Sequence, residues 1–263
     1  MKLLTLNCHS WQEENQHKKI QHIAKVIYEN QYDVIAMQEV SQLHNTELVK
    51  GNVRSDNFIL VLLEELKKLG EENYNFVWDF AHMGYDIYEE GLGIITKHPI
   101  IEEKSFFVSK SEDKTNWKTR NIVSATIDYK GKEIDLFSCH LGWWQDDIEP
   151  VDYQIDKLLK EIKGDGLTFI MGDFNNSATV RNEGYDYLLG KGLVDTYNIA
   201  VEKDSGITVQ GKIAGWDKNK EDLRLDIIFS NKEVNVKTSK VIFNGTNKEI
   251  VSDHFGVEVE LII

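Results

Sequence analysis

Cysteine and proline are scarce in this chain. Cys8 and Cys139 are the only two thiols among 263 residues, and both sit inside apolar, strand-like runs. That supply is too small for a disulfide framework or a thiolate zinc site. Pro99 and Pro150 are the only two prolines, and no Pro/Gly/Ser-rich stretch divides the chain. One domain spanning residues 1–263 is therefore expected. Uninterrupted apolar runs of about 18 residues are missing too, so no membrane-crossing helix is expected. The opening MKLLTLNCHSW has one lysine and a brief apolar run that meets Asn, His and Trp, which is not the pattern of a secretory signal. The expected location is the cytoplasm. Positive charge is also in deficit, with 30 Lys and Arg against 44 Asp and Glu and a formal net charge of −14. Non-specific nucleic-acid affinity comes mainly from Lys and Arg displacing counterions, so a nucleic-acid partner is disfavoured. Docking on an anionic membrane is disfavoured for the same reason.

Apolar residues make up 41% of the chain, enough for a packed core. Short β-branched runs predict strands at 2–7, 33–38, 75–80, 91–96, 122–129, 133–139, 167–171, 225–229, 235–243 and 256–261. Helices are fewer. Ile20, Ile23, Ala24 and Ile27 share one helical face, as do Ile155, Leu158, Leu159 and Ile162. A third helix is expected over 58–69, closed by Gly70, and a short fourth over 185–189. The middle of the chain runs strand after strand, which favours hairpins over repeated βαβ units. Two mixed sheets packed face to face, with helices outside, accommodate this pattern.

Polar groups recur where these strands end. LLTLNCH closes with Asn7 and His9, VIAMQEV carries Gln38 and Glu39, and IDLFSCH ends at His140. TFIMGDFNN brings Asp173 and Asn175, LRLDIIF holds Asp226, and IVSDHFG opens with Ser252, Asp253 and His254. Each such group is costly to bury unpaired, and their recurrence points to one shared polar site. Asn7, Glu39 and Asp253 suit a hard divalent ion, Mg²⁺ before Zn²⁺, with Mn²⁺ the alternative. His140 and His254 can donate to an anionic oxygen, and Asp226 can hold His254 in one tautomer. Asp173 can accept a proton from water, and Asn175 can fix a phosphoryl oxygen. Together these groups suit metal-assisted attack of water on a phosphate ester.

The segments LTLNCHSW, AMQEV, GLGIITKHPI, TRNIVSATI, FSCHLGWW, MGDFNN, RLDIIF and SDHFGV span residues 4–257 in this order. As a set they resemble the endonuclease/exonuclease/phosphatase superfamily of DNase I-like nucleases, neutral sphingomyelinases and inositol polyphosphate 5-phosphatases. The resemblance implies a four-layer α/β sandwich, a divalent cation and phosphoester hydrolysis. It implies that Glu39, helped by Asn7 and Asp253, binds the metal, and that His140 contacts the scissile phosphate. By the same resemblance Asp173 and Asn175 orient water and phosphate, and His254 pairs with Asp226. Arg120, in TRNIVSA, occupies a place where the family often has a basic residue near the phosphate. Glu89 or Glu90 is a candidate to orient His140.

Substrate class is a separate matter. The candidates are a cytosolic phosphomonoesterase, a nuclease and a phospholipid diesterase, with a non-catalytic binding module as the outsider. Tryptophans follow the motif strands: Trp11, Trp143 and Trp144, with Trp117 ahead of Arg120 and Trp216 ahead of Asp226. Flat indoles with a polar N–H suit a sugar face, so Trp11, Trp143 and Trp144 are expected to bind substrate. NCHSWQEEN, QEVSQ, HLGWWQDD and GDFNNSATVRNEGYD further resemble the bacterial maltose 6′-phosphate phosphatases. That resemblance implies a small phosphorylated sugar as the partner molecule.

Overall fold

The computed structural model describes residues 1–164, 166–216 and 218–263. Alternation of side chains along each strand explains its layers. In the first strand, Lys2–Asn7, Leu3 faces one core while Leu4 and Leu6 face another. The neighbouring strand, Val34–Leu43, repeats the pattern: Val34 and Ala36 point one way, Ile35 and Met37 the other. A strand buried on both faces lies between two layers, and that requires two cores.

These strands belong to a seven-stranded sheet ordered Glu202–Lys203, Asn235–Ile242, Gly256–Ile262, Lys2–Asn7, Val34–Leu43, Tyr88–Thr96 and Asn75–Gly84. A six-stranded sheet follows the order Val194–Asp195, Asp226–Ser230, Leu167–Asp173, Lys132–His140, Asn121–Tyr129 and Ile100–Phe107. Both are mixed, each with a parallel pair at its centre: Lys2–Asn7 with Val34–Leu43, and Lys132–His140 with Leu167–Asp173. Between the sheets lie Leu3, Val34, Ala36, Leu136, Phe169, Met171 and Val259. Outside the first sheet, helices Gln16–Asn30 and Phe58–Lys68 bury Ile20, Ile23, Ile27, Phe58 and Leu62. Outside the second, helices Val151–Lys160 and Gly184–Gly190 bury Ile155, Leu158, Tyr185 and Leu188. The result is the expected four-layer sandwich, helix on sheet on sheet on helix. Full burial of one Leu, Ile or Phe in such a core stabilises by roughly 1.5–3 kcal/mol.

All ten expected strands form, with shifted ends. The 33–38 strand continues to Leu43, and the 225–229 strand begins at Asp226. Ile100–Phe107 was not expected: its middle is exposed and charged, the protection that a sheet edge needs. The four expected helices also form, and Thr196–Ile199 adds a fifth, very short one. Gly70 follows the second helix with φ 87°, in the left-handed conformation that glycine tolerates best. Both cysteines are free and buried. Among the described residues no helix is long and apolar enough to cross a membrane.

Candidate active site

Strand parity carries polar groups into one end of the inter-sheet layer. Phe169, Met171 and Asp173 share a face, as do Leu136, Ser138 and His140 on the next strand. Register then aligns three residues on one rung: Asp173 sits opposite His140 on one side and opposite Asp226 on the other. Facing them, Asn7 continues the Leu3 and Thr5 face of the first sheet. Deeper in the layer, Gln38 Nε2 donates to Ser138 Oγ across the sheets at 3.1 Å, marking where the apolar filling ends.

Glu39 breaks the alternation. By parity it should point with Met37 into the helix-covered core. A bulge between Met37 and Val40, with Glu39 at φ 53°, turns it into the polar end instead. Asn175 and His9 are also left-handed, at φ 50° and 43°. Non-glycine residues pay of order 1–3 kcal/mol for strain of this kind, which persists where surrounding structure enforces it. Gly172 makes the strand approach possible: at φ 152°, a Cβ there would stand 1.9 Å from the Cys139 carbonyl oxygen.

Of these residues His9, Glu39, His140, Asp173 and Asn175 line one cleft of about 600 Å³, together with His254. His254 Nδ1 donates to Asp226 Oδ2 at 2.8 Å, and both residues are buried. Its Nε2 lies 3.7 Å from Asp173 Oδ2, and His140 Nε2 is 3.7 Å from the same oxygen and 4.0 Å from Glu39 Oε1. These gaps exceed hydrogen-bond length, so these ring nitrogens are not tied up by the carboxylates beside them. The Asn175 backbone N–H donates to Asp173 Oδ1 at 2.8 Å. The Asn175 amide is locked on both sides: Nδ2 donates to Leu141 O and Oδ1 accepts from Trp216 Nε1, each at 3.0 Å. Thr208, fully buried, braces the histidine pair. Its Oγ1 accepts from Leu225 and Asp226 N–H at 3.0 and 3.2 Å, and its carbonyl accepts from Phe255 N–H at 2.8 Å.

Burial and neighbouring charges set the protonation. Burial raises Glu39 to about 8, reinforced by the Glu90 and Asp253 carboxylates. Burial likewise raises Asp173 to about 6, the His254 charge opposing and Asp226 reinforcing. Burial disfavours a charged His254, but Asp226 and Asp173 outweigh it and hold the imidazole well above its usual range. For His140, burial, Arg120 and His254 all act downward, so it is neutral.

The sequence profile of the Endonuclease/Exonuclease/phosphatase family matches residues 4–254. The chain belongs to this family. A solved family protein from Leptotrichia buccalis C-1013-b is 46% identical over 100% of both chains, with a TM-score of 0.95. The mannosyl-6-phosphatase of Bacteroides thetaiotaomicron VPI-5482 is 18% identical over 100% of both chains, with a TM-score of 0.72. A truncated TDP2 of Caenorhabditis elegans is 14% identical, covering 100% of this chain and 97% of its own, with a TM-score of 0.66. No curated protein matches the chain.

The donor set of this family member fits a divalent cation. Glu39, Glu90 and Asp253 crowd oxygen donors together, and their mutual repulsion is what a hard cation relieves. His9, Glu13 and Asp253 form one cluster able to hold a metal ion, and Asp173, Asp226 and His254 form another. In the first, Glu13 is already engaged by His9 Nδ1 at 2.7 Å and Lys19 Nζ at 2.5 Å. Asn7, expected to help hold the metal, is hydrogen-bonded to the carboxylates around it. Its Nδ2 donates to Glu39 Oε1 at 2.8 Å and to Asp173 Oδ2 at 3.2 Å, while Oδ1 accepts from His9 N–H at 3.2 Å. As placed, Asn7 orients the two carboxylates.

Other expectations divide. Arg120 is buried in the cleft wall, and its Nε has no hydrogen-bond partner. Trp143 lines the same wall with an unpartnered Nε1. Trp11 and Trp144, expected to bind substrate, do not line the cleft. Trp11 Nε1 donates to Ser41 O at 3.0 Å while its ring packs edge-on against Phe58, and Trp144 packs on Tyr187 at the helix-covered core. Proximity to a motif in sequence does not say to which side of a loop a ring turns. Neither glutamate orients His140: Glu89 pairs with Arg54 at 2.8 Å, and Glu90 lies 3.4 Å from His82 Nε2. His82 and Tyr85 line the cleft without having been expected to act there, and Glu90 and Trp117, both noted in the sequence, line it too. His9, noted at a strand end, lines it as well.

Proposed function

We propose that this family member is a divalent-metal-dependent phosphomonoesterase acting on a phosphorylated sugar, maltose 6′-phosphate or a related disaccharide phosphate. One observation carries the reading: Arg120 and Trp143, side chains that can only donate, stand with His140, Asn175 and His254 in the wall of one cleft. Donors gathered in this way suit an acceptor-rich anion, and a monoester offers more terminal oxygens than a diester. Arg120 also gives that anion its charge complement. One structural relative is by name a mannosyl-6-phosphatase and another is TDP2, so fold likeness does not choose the substrate.

In this mechanism Glu39 and Asp253 would hold a divalent cation, with Asn7 steering the Glu39 carboxylate. When bound, such a cation would supply Lewis-acid polarisation of the phosphoryl group and offset the charge of the crowded carboxylates. Asp173 takes a proton from the attacking water, whose oxygen forms the new bond to phosphorus. The bond from phosphorus to the sugar oxygen breaks, and the sugar leaves as an alcohol after taking a proton from solvent. His254, fixed through Nδ1 by Asp226, stabilises the phosphoryl oxygens as a cation. His140 and the remaining Nδ2 hydrogen of Asn175 donate to the same oxygens.

Phosphate release from maltose 6′-phosphate, glucose 6-phosphate, an inositol phosphate, a bis-ester and duplex DNA, with Mg²⁺ and with EDTA, tests this reading. Selective, EDTA-sensitive turnover of the disaccharide phosphate is expected. Preference for DNA or the bis-ester would overturn the substrate class.

A further inference from the structure

The hairpin joining Asn75–Gly84 to Tyr88–Thr96 closes with an unusual turn. Ile87 N–H donates to Gly84 O at 3.1 Å, and the two residues between are both left-handed, Tyr85 at φ 50° and Asp86 at φ 60°. Two central residues with positive φ define the mirror-image turn that Asn-Gly suits best. A tyrosine there is sterically expensive. Packing does not compensate: Tyr85 is 66% exposed, and its hydroxyl has no hydrogen-bond partner among the described residues. The strained ring nevertheless lines the cleft.

Its surroundings indicate what it meets. Met83 N–H donates to Lys114 O at 2.7 Å, tying the hairpin to the loop that carries Thr115 and Trp117 into the same rim. Trp117 is 55% exposed and stands edge-on to Trp143, ring centres 6.1 Å apart. Asp86 and Gln12 add a carboxylate and an amide to the lining. Flat apolar faces beside hydroxyl-binding polar groups match a pyranose, which has an apolar C–H face and a hydroxylated edge. The cleft volume of about 600 Å³ falls within the usual range for small-molecule sites and leaves space beyond a phosphate.

We propose that Tyr85, presented by this left-handed turn in the cleft that Trp117 also lines, is the platform for the sugar of the leaving group and sets the preference for disaccharide over smaller phosphates. The proposal rests on the sugar phosphatase reading. Its test compares wild type, Tyr85→Asn and Tyr85→Phe on maltose 6′-phosphate and on ethyl phosphate, which has no ring to stack. Tyr85→Asn suits the backbone and removes the ring. It should lower the ratio of kcat/KM for the disaccharide phosphate over ethyl phosphate about tenfold, chiefly through KM, with no loss of thermal midpoint. Tyr85→Phe, which keeps the ring face, should retain most of the wild-type ratio. An unchanged ratio in Tyr85→Asn, with wild type active on monoesters, overturns the platform alone. Absence of wild-type turnover on any phosphomonoester overturns the functional reading and the platform with it.

Discussion

Replacing Thr208 by Val keeps the side-chain shape and deletes one oxygen. That oxygen accepts from two buried backbone N–H groups, Leu225 at 3.0 Å and Asp226 at 3.2 Å. A buried donor left without an acceptor costs about 1–3 kcal/mol, so the pair should cost about 2–4 kcal/mol, the longer bond counting for less. Urea unfolding followed by tryptophan fluorescence reads this directly, and a midpoint lower by about 1 M is expected. Turnover should fall as well. Thr208 ties the start of the Asp226 strand to the backbone next to His254, and misplacement of about 1 Å in such a pair costs about 10²-fold in rate. A fall in kcat of about tenfold or more, with KM little changed, is the expected signature. Thr208→Ser restores the oxygen and should recover both stability and kcat. The bracing role is refuted if Thr208→Val unfolds within about 0.5 kcal/mol of wild type, or if Ser behaves as badly as Val.

Asp173→Ala and His254→Ala should each lower kcat by roughly 10²–10⁴ while the folded spectrum persists, and near-normal turnover would remove that residue from the chemistry. Glu39 is raised to about 8 without metal, so protons leave it as a cation binds. The metal-free fold should therefore lose stability from about pH 5 to 8, and Mg²⁺ or Mn²⁺ should raise Tm more at pH 8 than at pH 6. Calorimetry in two buffers of different ionisation heat would detect the released protons, and pH-independent binding contradicts the assignment. Gly172→Ala drives a Cβ to 1.9 Å from the Cys139 carbonyl and should cost at least about 3 kcal/mol, read as a Tm drop of roughly 6–12 °C. Trp144→Phe should leave kcat/KM for the sugar phosphate within about twofold, because its ring packs on Tyr187 away from the cleft; a larger loss would return Trp144 to the substrate.

Much of the layer structure was legible because period-two alternation is written directly in residues such as Leu3, Leu4, Val34 and Ile35. Strand ends carrying His140, Asp173 and Asp226 were legible for the same reason: each interrupts an apolar run, and the register then sets them on one rung. Edge strand Ile100–Phe107 was not, since its exposed Glu102, Glu103 and Lys104 serve edge protection and erase the apolar signal. Glu39 was singled out by its motif, but the bulge that re-aims it depends on a left-handed residue that no propensity favours. Trp11 and Trp144 turn their rings toward the helix layers, which their place after the motif strands did not reveal. The Tyr85 turn stayed hidden because Tyr-Asp lacks the Asn-Gly signature of the conformation it adopts.

The shared rung has a consequence for how such a protein can change. His140, Asp173 and Asp226 sit on three adjacent strands, and backbone ladders hold such strands about 4.8 Å apart. The sheet thus works as a ruler, and the distances among these groups are graduations that side-chain substitution elsewhere cannot rescale. Widening the phosphate pocket would mean unpairing strands at the centre of the molecule. The rim has no such gauge: its hairpin and loops can be rewritten residue by residue while the ruler keeps its marks. New leaving groups are accessible to this scaffold by small steps, whereas a new reacting centre is not.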